Sequence, residues 1–348
     1  MPNNSNKLKV LLIGPSPRNI GGISIHLKRL IGLLKDKYDF SIVDEGHTRY
    51  RGEFNLRTLN LVMYYKLLFR ADIVHIHSGV FILRFFHIIN SLLLHKKTIV
   101  TIHRDPRIEG HATTTRFLLG KCDHAILVNK EGYDAVRKSG KCQYHLLPAF
   151  LPPLLDEEPS LPSEILDWIG SFKKNNGAYI CCSNAWNLVF HNNEDLYGLD
   201  ICLKAINRLC VSGFRNVGLV FVVASCTAHA EVLDAYKKYI SDNHLENNIL
   251  IWEHPTSFVR LIQRCDLVLR TTNTDGDAIS IRESLYYRKP VLASDVVRRP
   301  KATMLFKNRD FIDLAHKIAS CMAHRGEKMQ SACEPIDYKT LYINIYNC

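Results

Sequence analysis

Short runs rich in Val, Ile and Leu, each the length of a buried strand, alternate with helix-length segments along this 348-residue chain, and the series is run through twice. The first series comprises KVLLIGPS (9–16), FSIVD (40–44), ADIVHIHS (71–78), KTIVTIH (97–103) and HAILVN (124–129). A strand with one wet face alternates apolar and polar residues. These runs are nearly continuous, as required of strands covered on both faces, and βαβ units in a parallel sheet supply that cover. Between the first two runs, Ile23, Leu27, Leu30 and Leu34 recur at helical spacing.

Residues 148–162 interrupt the pattern with Pro148, Pro152, Pro153, Pro159 and Pro162 and the acidic cluster Asp156, Glu157 and Glu158, which read as a linker. The alternation then resumes. AYICCSN (178–184) precedes a helical pattern from Gly198 to Cys210, and GLVFVVAS (218–225), NILIWEH (248–254), DLVLRTT (266–272) and PVLASD (290–295) follow. A last helical pattern, Phe311 to Ala323, precedes a tail bearing Tyr338, Leu341, Tyr342 and Tyr346. The expectation is two Rossmann-like, doubly wound domains, 1–160 and 161–325, with the 326–348 tail packing back on the first. Such sheets bind ligands at the carboxyl ends of their strands, here in a cleft between the domains.

Several alternatives fall away on composition. The longest apolar stretch, Val80 to Leu94, is broken by Arg84, His87 and Asn90 and is too short to span a bilayer. The start, MPNNSNKLKV, passes from polar residues straight into a strand without a leader's apolar segment, so a cytoplasmic location is expected. Eleven cysteines without C-x-x-C spacing fit reduced thiols better than a disulfide framework or a zinc knuckle. His75 and His77 alternate on one strand face, but no third ligand stands at a metal-site spacing, so packing and cleft lining are expected and no metal. Residues 1–150 hold 23 Lys and Arg against 11 Asp and Glu, a net of +12, whereas 151–348 net −1. That one-sided field points to an anionic partner such as a membrane surface, a phosphorylated acceptor or a nucleic acid. The charge is spread over a Rossmann-like domain, with no recognisable nucleic-acid module, so no nucleic-acid partner is expected.

The segment richest in chemistry is DLVLRTTNTDGDAISIRESLYYRKPVLASD (266–295). A buried strand ends at Thr272, a polar loop follows, and a helix opens near Ala278 with Asp277 as its expected N-cap. Helix N-termini present unpaired N–H groups and a positive dipole end, suited to a phosphate or a sugar hydroxyl. Asp275 lies in the loop and Glu283 within the helix, with Arg270 and Arg282 as neighbouring cations. Asp275 and Asp277 also form a D-x-D pair, two carboxylates able to share a hard cation, a reading disfavoured by the second Rossmann domain.

This segment resembles the nucleotide-sugar site of the retaining glycosyltransferases of family four, of GT-B fold and bacterial surface-polysaccharide type. Their pattern is an acidic residue, seven residues, Glu, a small-residue turn, Pro and a strand; Asp275, Glu283, Arg288–Lys289–Pro290 and VLASD follow it, with Asp in place of the usual first Glu. The resemblance implies that Glu283 holds the ribose hydroxyls, that Asp275 touches the transferred sugar, and that the amides of Gly276, Asp277, Ala278 and Ile279 face sugar and phosphate. It also implies that the turn at Gly21–Gly22 borders the donor phosphates. On the residues alone that turn is weak evidence, because its spacing from Gly14 does not meet the dinucleotide fingerprint. His103, at the end of KTIVTIH, stands where the family places a His beside the donor sugar, with Arg104 and Asp105 following on the acceptor side.

The chain departs from the family before its Gly198–Leu199–Asp200 helix. Tyr197 replaces the Lys, and no Arg follows Cys182–Ser183, so the pair that neutralises the donor diphosphate is missing. Arg270 and Arg282 are the nearest substitutes, and a non-catalytic sugar-nucleotide- or saccharide-binding protein is the alternative. The expected activity is metal-independent, cofactor-free transfer from a UDP- or GDP-sugar to a lipid-linked saccharide. The expected place is the inner face of the cytoplasmic membrane, to which the chain binds peripherally. The segments RYRGEFNLRTLNLVMYYKLLFR (49–70) and FILRFFHIINSLLLHKK (81–97) mix aromatic, aliphatic and basic residues as membrane-surface helices do, though 81–97 also reads as a helix packed on the sheet.

Overall fold

The computed structural model describes residues 7–19, 21–138, 140–175, 177–225, 230–274, 278–325 and 336–348. Two compact units divide the chain: Met1–Leu151 with Pro335–Cys348, and Pro152–Glu334.

In the first unit, β1 (Leu8–Gly14), β2 (Tyr38–Asp44), β3 (Phe54–Asn55), β4 (Ile73–Ile76), β5 (Lys97–Ile102), β6 (His124–Leu127) and β7 (Gln143–Leu146) form one sheet in the order β3-β2-β1-β4-β5-β6-β7. Every neighbouring pair is parallel. The helices are α1 (Gly22–Leu34), α2 (Leu61–Arg70), α3 (Phe81–Leu93), α4 (Ala112–Leu119), α5 (Lys130–Val136) and α12 (Tyr338–Asn347). One face of the sheet buries Leu11, Ile13, Val74, Ile76, Val100 and Ile102 with Tyr64 and Leu68 of α2 and Ile88 of α3. Alternate residues of the same strands point the other way, and among them His75 meets α12, its Nδ1 lying 2.8 Å from the Tyr346 hydroxyl. Tyr38 donates its hydroxyl proton to Asn347 at 2.9 Å, and Lys97 donates to the Tyr346 carbonyl at 2.7 Å. The aromatic tail thus forms part of the first unit's core.

In the second unit, β8 (Tyr179–Asn187), β11 (Val217–Ser225), β12 (Ile249–Trp252), β13 (Leu267–Arg270), β14 (Val291–Ser294) and β15 (Met304–Phe306) are ordered β12-β11-β8-β13-β14-β15, again all parallel. Residues alternating along the strands feed two separate cores. Cys181, Leu219, Phe221, Leu267, Leu269 and Leu292 pack with α7 (Leu199–Val211), α8 (Ala230–Asp242) and α11 (Phe311–Ala323). Ile180, Cys182, Val220, Val222, Val268 and Val291 pack with α6 (Ser163–Phe172), α9 (Phe258–Arg264) and α10 (Ile279–Tyr286). Continuous apolar runs are what a strand needs to serve both sides.

The units part at Leu151/Pro152, inside the proline-rich stretch, so that Pro148 belongs to the first unit and the part from Pro152 to Pro162 to the second. Arg260 of α9 holds it there, donating to the carbonyls of Leu155 at 2.7 Å and Glu158 at 3.1 Å. The described cysteines are free thiols, and among the described residues no helix is long and apolar enough to cross a membrane.

Candidate functional site

Both sheets wind outward in two directions from their first strand. In this topology the loops leaving adjacent strands diverge at the switch point, opening a crevice at the carboxyl ends. In the second unit that point lies between β8 and β13, where Arg270 closes β13 and α7 and α10 begin.

The start of α7 is built by a tight hairpin, β9 (Phe190–His191) and β10 (Glu194–Asp195), turned at Asn192 and Asn193, both at positive φ. Asn tolerates that region better than most side chains, which makes the two-residue turn accessible. The hairpin delivers Asp195, whose carboxylate accepts from the amides of Tyr197 (2.9 Å), Gly198 (3.1 Å) and Leu199 (3.1 Å) and from the Tyr236 hydroxyl (3.0 Å). Burial raises the Asp195 pKa, with nearby Asp200 adding to the shift and the hydrogen bonds from Tyr236, Tyr197 and Gly198 opposing it. The helix start is therefore already occupied by an internal carboxylate. Arg309 flanks it, paired with Asp200 and donating to the Asp195 carbonyl at 3.2 Å.

Gly198 permits the close docking of this turn. Its φ is 71°, and a Cβ there would lie 2.3 Å from the Thr271 carbonyl oxygen in the loop after β13. Thr271 in turn donates its hydroxyl proton to the Tyr197 carbonyl at 2.7 Å. Gly198→Ala is expected to cost about 2 kcal/mol or more, from left-handed strain and overpacking together. Thermal melting should show a lowered midpoint; an unchanged one would show that the turn does not need its glycine.

Tyr197, standing where a lysine is expected, carries the Arg270 guanidinium over its ring at 5.6 Å from the centroid. A second cation missed by the sequence reading, Arg299, lies at the end of β14. Its Nε donates to the Ser294 carbonyl at 3.2 Å, and its Nη2 reaches the Ser294 hydroxyl at 3.3 Å and the Thr272 hydroxyl at 3.4 Å. Only a chain position beyond the 266–295 motif would have marked it.

The predicted N-cap at Asp277 is corrected: Ala278 occupies the cap position, φ −68° and ψ 117°, and α10 begins at Ile279 with no side-chain cap. The first amides of α10 thus have no capping side chain among the described residues. Glu283 lies in the second turn, 5% exposed, on the face that also buries Ser280, Ile281 and Ser284; Arg282 is half-buried. Asp275, Gly276 and Asp277 lie outside the described residues. Of the expected donor-side residues, Arg270 thus ends β13, Ala278 stands at the cap position of α10, and Ile279, Arg282 and Glu283 lie in that helix, all in one unit.

The remaining candidates belong to the first unit. Gly21 precedes α1 in extended conformation, and among the described residues a Cβ there would meet nothing within 4 Å, so Gly21 leaves an open approach; Gly22 is the first residue of α1. His103 follows β5 and is half-buried. Arg104 is exposed. Asp105 is engaged locally, accepting from the Arg107 amide at 2.9 Å and from its guanidinium at 2.6 Å, contacts that hold its pKa low. No third ligand accompanies His75 and His77 at a metal-site spacing along the sequence, but in the fold α1 brings His26, and the end of β5 brings His103, to His77. No spacing along the chain announces a cluster assembled from residues 26, 77 and 103.

No family model matches the chain. Three solved structures align over nearly all of it. HepE of Anabaena, described in complex with UDP and glucose, superposes with a TM-score of 0.64 at 14% identity, over 93% of this chain and 92% of that one. A glycosyltransferase of Rickettsia africae gives 0.65 at 15%, over 97% and 94%. The trehalose-6-phosphate synthase OtsA gives 0.64 at 12%, over 98% and 99%. The chain has the GT-B fold. In sequence, poly(ribitol-phosphate) alpha-N-acetylglucosaminyltransferase of Staphylococcus aureus is 29% identical over 94 residues, 25% of this chain. This chain spans 19% of that relative's length.

Proposed function

We infer that this GT-B chain is a retaining glycosyltransferase, moving a sugar from a UDP- or GDP-sugar to a lipid-linked saccharide of a surface polysaccharide at the cytoplasmic membrane face. The observation that carries the reading is the switch point of the second unit. There α10, with no side-chain cap among the described residues, follows the strand that Arg270 closes and holds a buried carboxylate, Glu283, in its second turn. A leaving diphosphate needs charge stabilisation as the glycosidic bond breaks, and a helix N-terminus with arginines supplies it without a metal. Glu283 suits ribose hydroxyls, and His103 and Asp275 are assigned to the transferred sugar. The solved neighbours that include a UDP complex support the donor class. Incubation with a panel of UDP- and GDP-sugars in the presence of EDTA should yield free nucleoside diphosphate by transfer or slow hydrolysis; none from any donor would count against an enzyme.

The missing Arg–Lys pair favours a second reading, a sugar-nucleotide-binding protein without activity, since Asp195 already fills the start of α7. Arg270 answers this by placing a guanidinium on Tyr197, where the lysine would stand. Arg270→Gln, and to a lesser degree Arg282→Gln, should weaken UDP or GDP binding at least roughly tenfold, the low end for charge-assisted hydrogen bonds, while sparing the free nucleoside. Equal losses for nucleotide and nucleoside in calorimetry would remove these arginines from the diphosphate.

A further inference from the structure

His75, His77, His26 and His103 lie together in the first unit, yet they are not equivalent. Both ring nitrogens of His75 have partners, the Tyr346 hydroxyl and the Thr101 hydroxyl, each at 2.8 Å. His75 is a satisfied core residue. The other three offer one ring nitrogen apiece, all within 4.8 Å of one another. His77 Nδ1 is 3.1 Å from His103 Nε2, and the His26 ring centroid lies 5.3 Å from that of His77 and 5.2 Å from that of His103. The rings are tilted against each other by 46°, 77° and 34° rather than stacked.

We propose that His26, His77 and His103 bind a divalent transition-metal ion of the zinc class, with a fourth position open to an oxygen ligand. Tetrahedral zinc with Zn–N of about 2.0–2.1 Å sets its ligand nitrogens about 3.3 Å apart. One pair already has that spacing, and small ring rotations bring in the third. His26 Nδ1 lies 2.7 Å from the Ala149 carbonyl. Donation there, the outer-sphere bond by which metal-bound histidines are oriented, fixes the tautomer and makes Nε2 the acceptor; it faces the Tyr342 hydroxyl at 3.5 Å, a long contact that a bound ion would displace. His77 is wholly buried, and the 3.1 Å approach of its Nδ1 to His103 Nε2 makes Nδ1 its ligand atom. Burial holds all three rings in the neutral, metal-binding form: His26 is lowered to about 4, and His77 and His103 fall well below their ordinary value.

The supports are rigid. His77 directly follows β4, its amide donating to the Ile13 carbonyl at 2.7 Å, and a Cβ on Gly14 would lie 3.2 Å from the His77 Cβ. The cluster thus occupies the switch point of the first sheet, between β1 and β4, where this topology binds ligands. The three ligands are neutral, and Arg29 and Arg84 lie close enough to act on His26 and His103. An anionic oxygen is therefore the favoured fourth ligand.

Metal binding does not rest on the transfer reading; if both hold, ion and donor sugar compete for His103. The test uses full-length, tag-free protein stripped with chelator and titrated with cobalt in the absence of any nucleotide sugar. One saturable equivalent, displaced by zinc and lacking a thiolate charge-transfer band, is expected. X-ray absorption of the zinc-loaded wild-type protein should show three imidazoles and no sulfur, a result that needs no variant to fold. His26→Ala and His77→Ala, checked for native circular dichroism, should bind at least about 100-fold more weakly, and exposed His316→Ala should bind as the parent does. No saturable site, sulfur in the coordination shell, or undiminished affinity in His77→Ala would overturn the proposal.

Discussion

Replacing Glu283 by Ala is expected to abolish transfer and to weaken UDP or GDP binding by roughly 10- to 150-fold, the equivalent of 1.5–3 kcal/mol for hydrogen bonds to a charged group. The size follows from the residue's place. Glu283 is on the buried face of α10, where hydrogen bonds to a carboxylate are less weakened by water than on an open surface. Alanine also removes whatever the side chain packs against, so Glu283→Gln is the informative companion. It keeps shape and volume, and its deficit isolates the negative charge. Calorimetry with the nucleoside diphosphate, beside a melting curve, separates the two. Donor affinity unchanged in both variants would detach Glu283 from the nucleotide.

The framework around Glu283 was legible because burial on both faces leaves a mark no other strand environment leaves. KTIVTIH and DLVLRTT match β5 and β13 to within a few residues, and the helical pattern 311–323 matches α11 in full. Small elements escape such reading. The hairpin that delivers Asp195 has two residues per strand, too few for any period, although Asn192–Asn193 is a turn signal and an acidic residue three before Gly198 is a capping signal. Periodicity also cannot say which side of an amphipathic helix faces inward. In α3 the buried residues are Arg84, His87, Asn90 and Ser91 with Ile88, beside Phe86, Ile89 and Leu92 packed partly buried on the same core, while Ile82, Phe85 and Leu93 are exposed. The polar residues are satisfied by tertiary partners: Arg84 pairs with Glu109, and His87 bridges the Tyr64 hydroxyl at 2.9 Å and Glu45 at 3.1 Å. Partners so distant in sequence are invisible to a pattern.

The same helix makes the second large effect, on membrane binding. Helices α2 and α3 lie side by side, joined by the Tyr65 hydroxyl donating to Asn90 at 2.6 Å and by contact between the Tyr64 and Phe86 rings. Their outer surface exposes Val62 (81%), Ile82 (74%), Leu93 (70%) and Phe69 (61%), with Lys66 and Arg70 exposed among them and Arg49, Arg51 and Arg57 exposed on the preceding segment. Apolar side chains beside basic ones are the composition of a helix lying in a bilayer interface, where buried area and attraction to anionic lipid add. Arg49, Arg51 and Arg57 each contribute about 1 kcal/mol near such a surface, so their replacement by Glu should weaken binding by roughly two orders of magnitude. Val62→Asp with Ile82→Asp should remove at least as much, since a buried Val or Ile side chain is worth about 1.5–3 kcal/mol. In vesicle co-sedimentation the parent chain should pellet with anionic lipid at low salt and be released as salt shortens the Debye length. Loss in the arginine variant alone would mean a purely electrostatic contact, with the apolar face off the bilayer. Pelleting indifferent to lipid charge and to both sets of substitutions would leave the basic first unit without a membrane role, and the lipid-linked acceptor without its support.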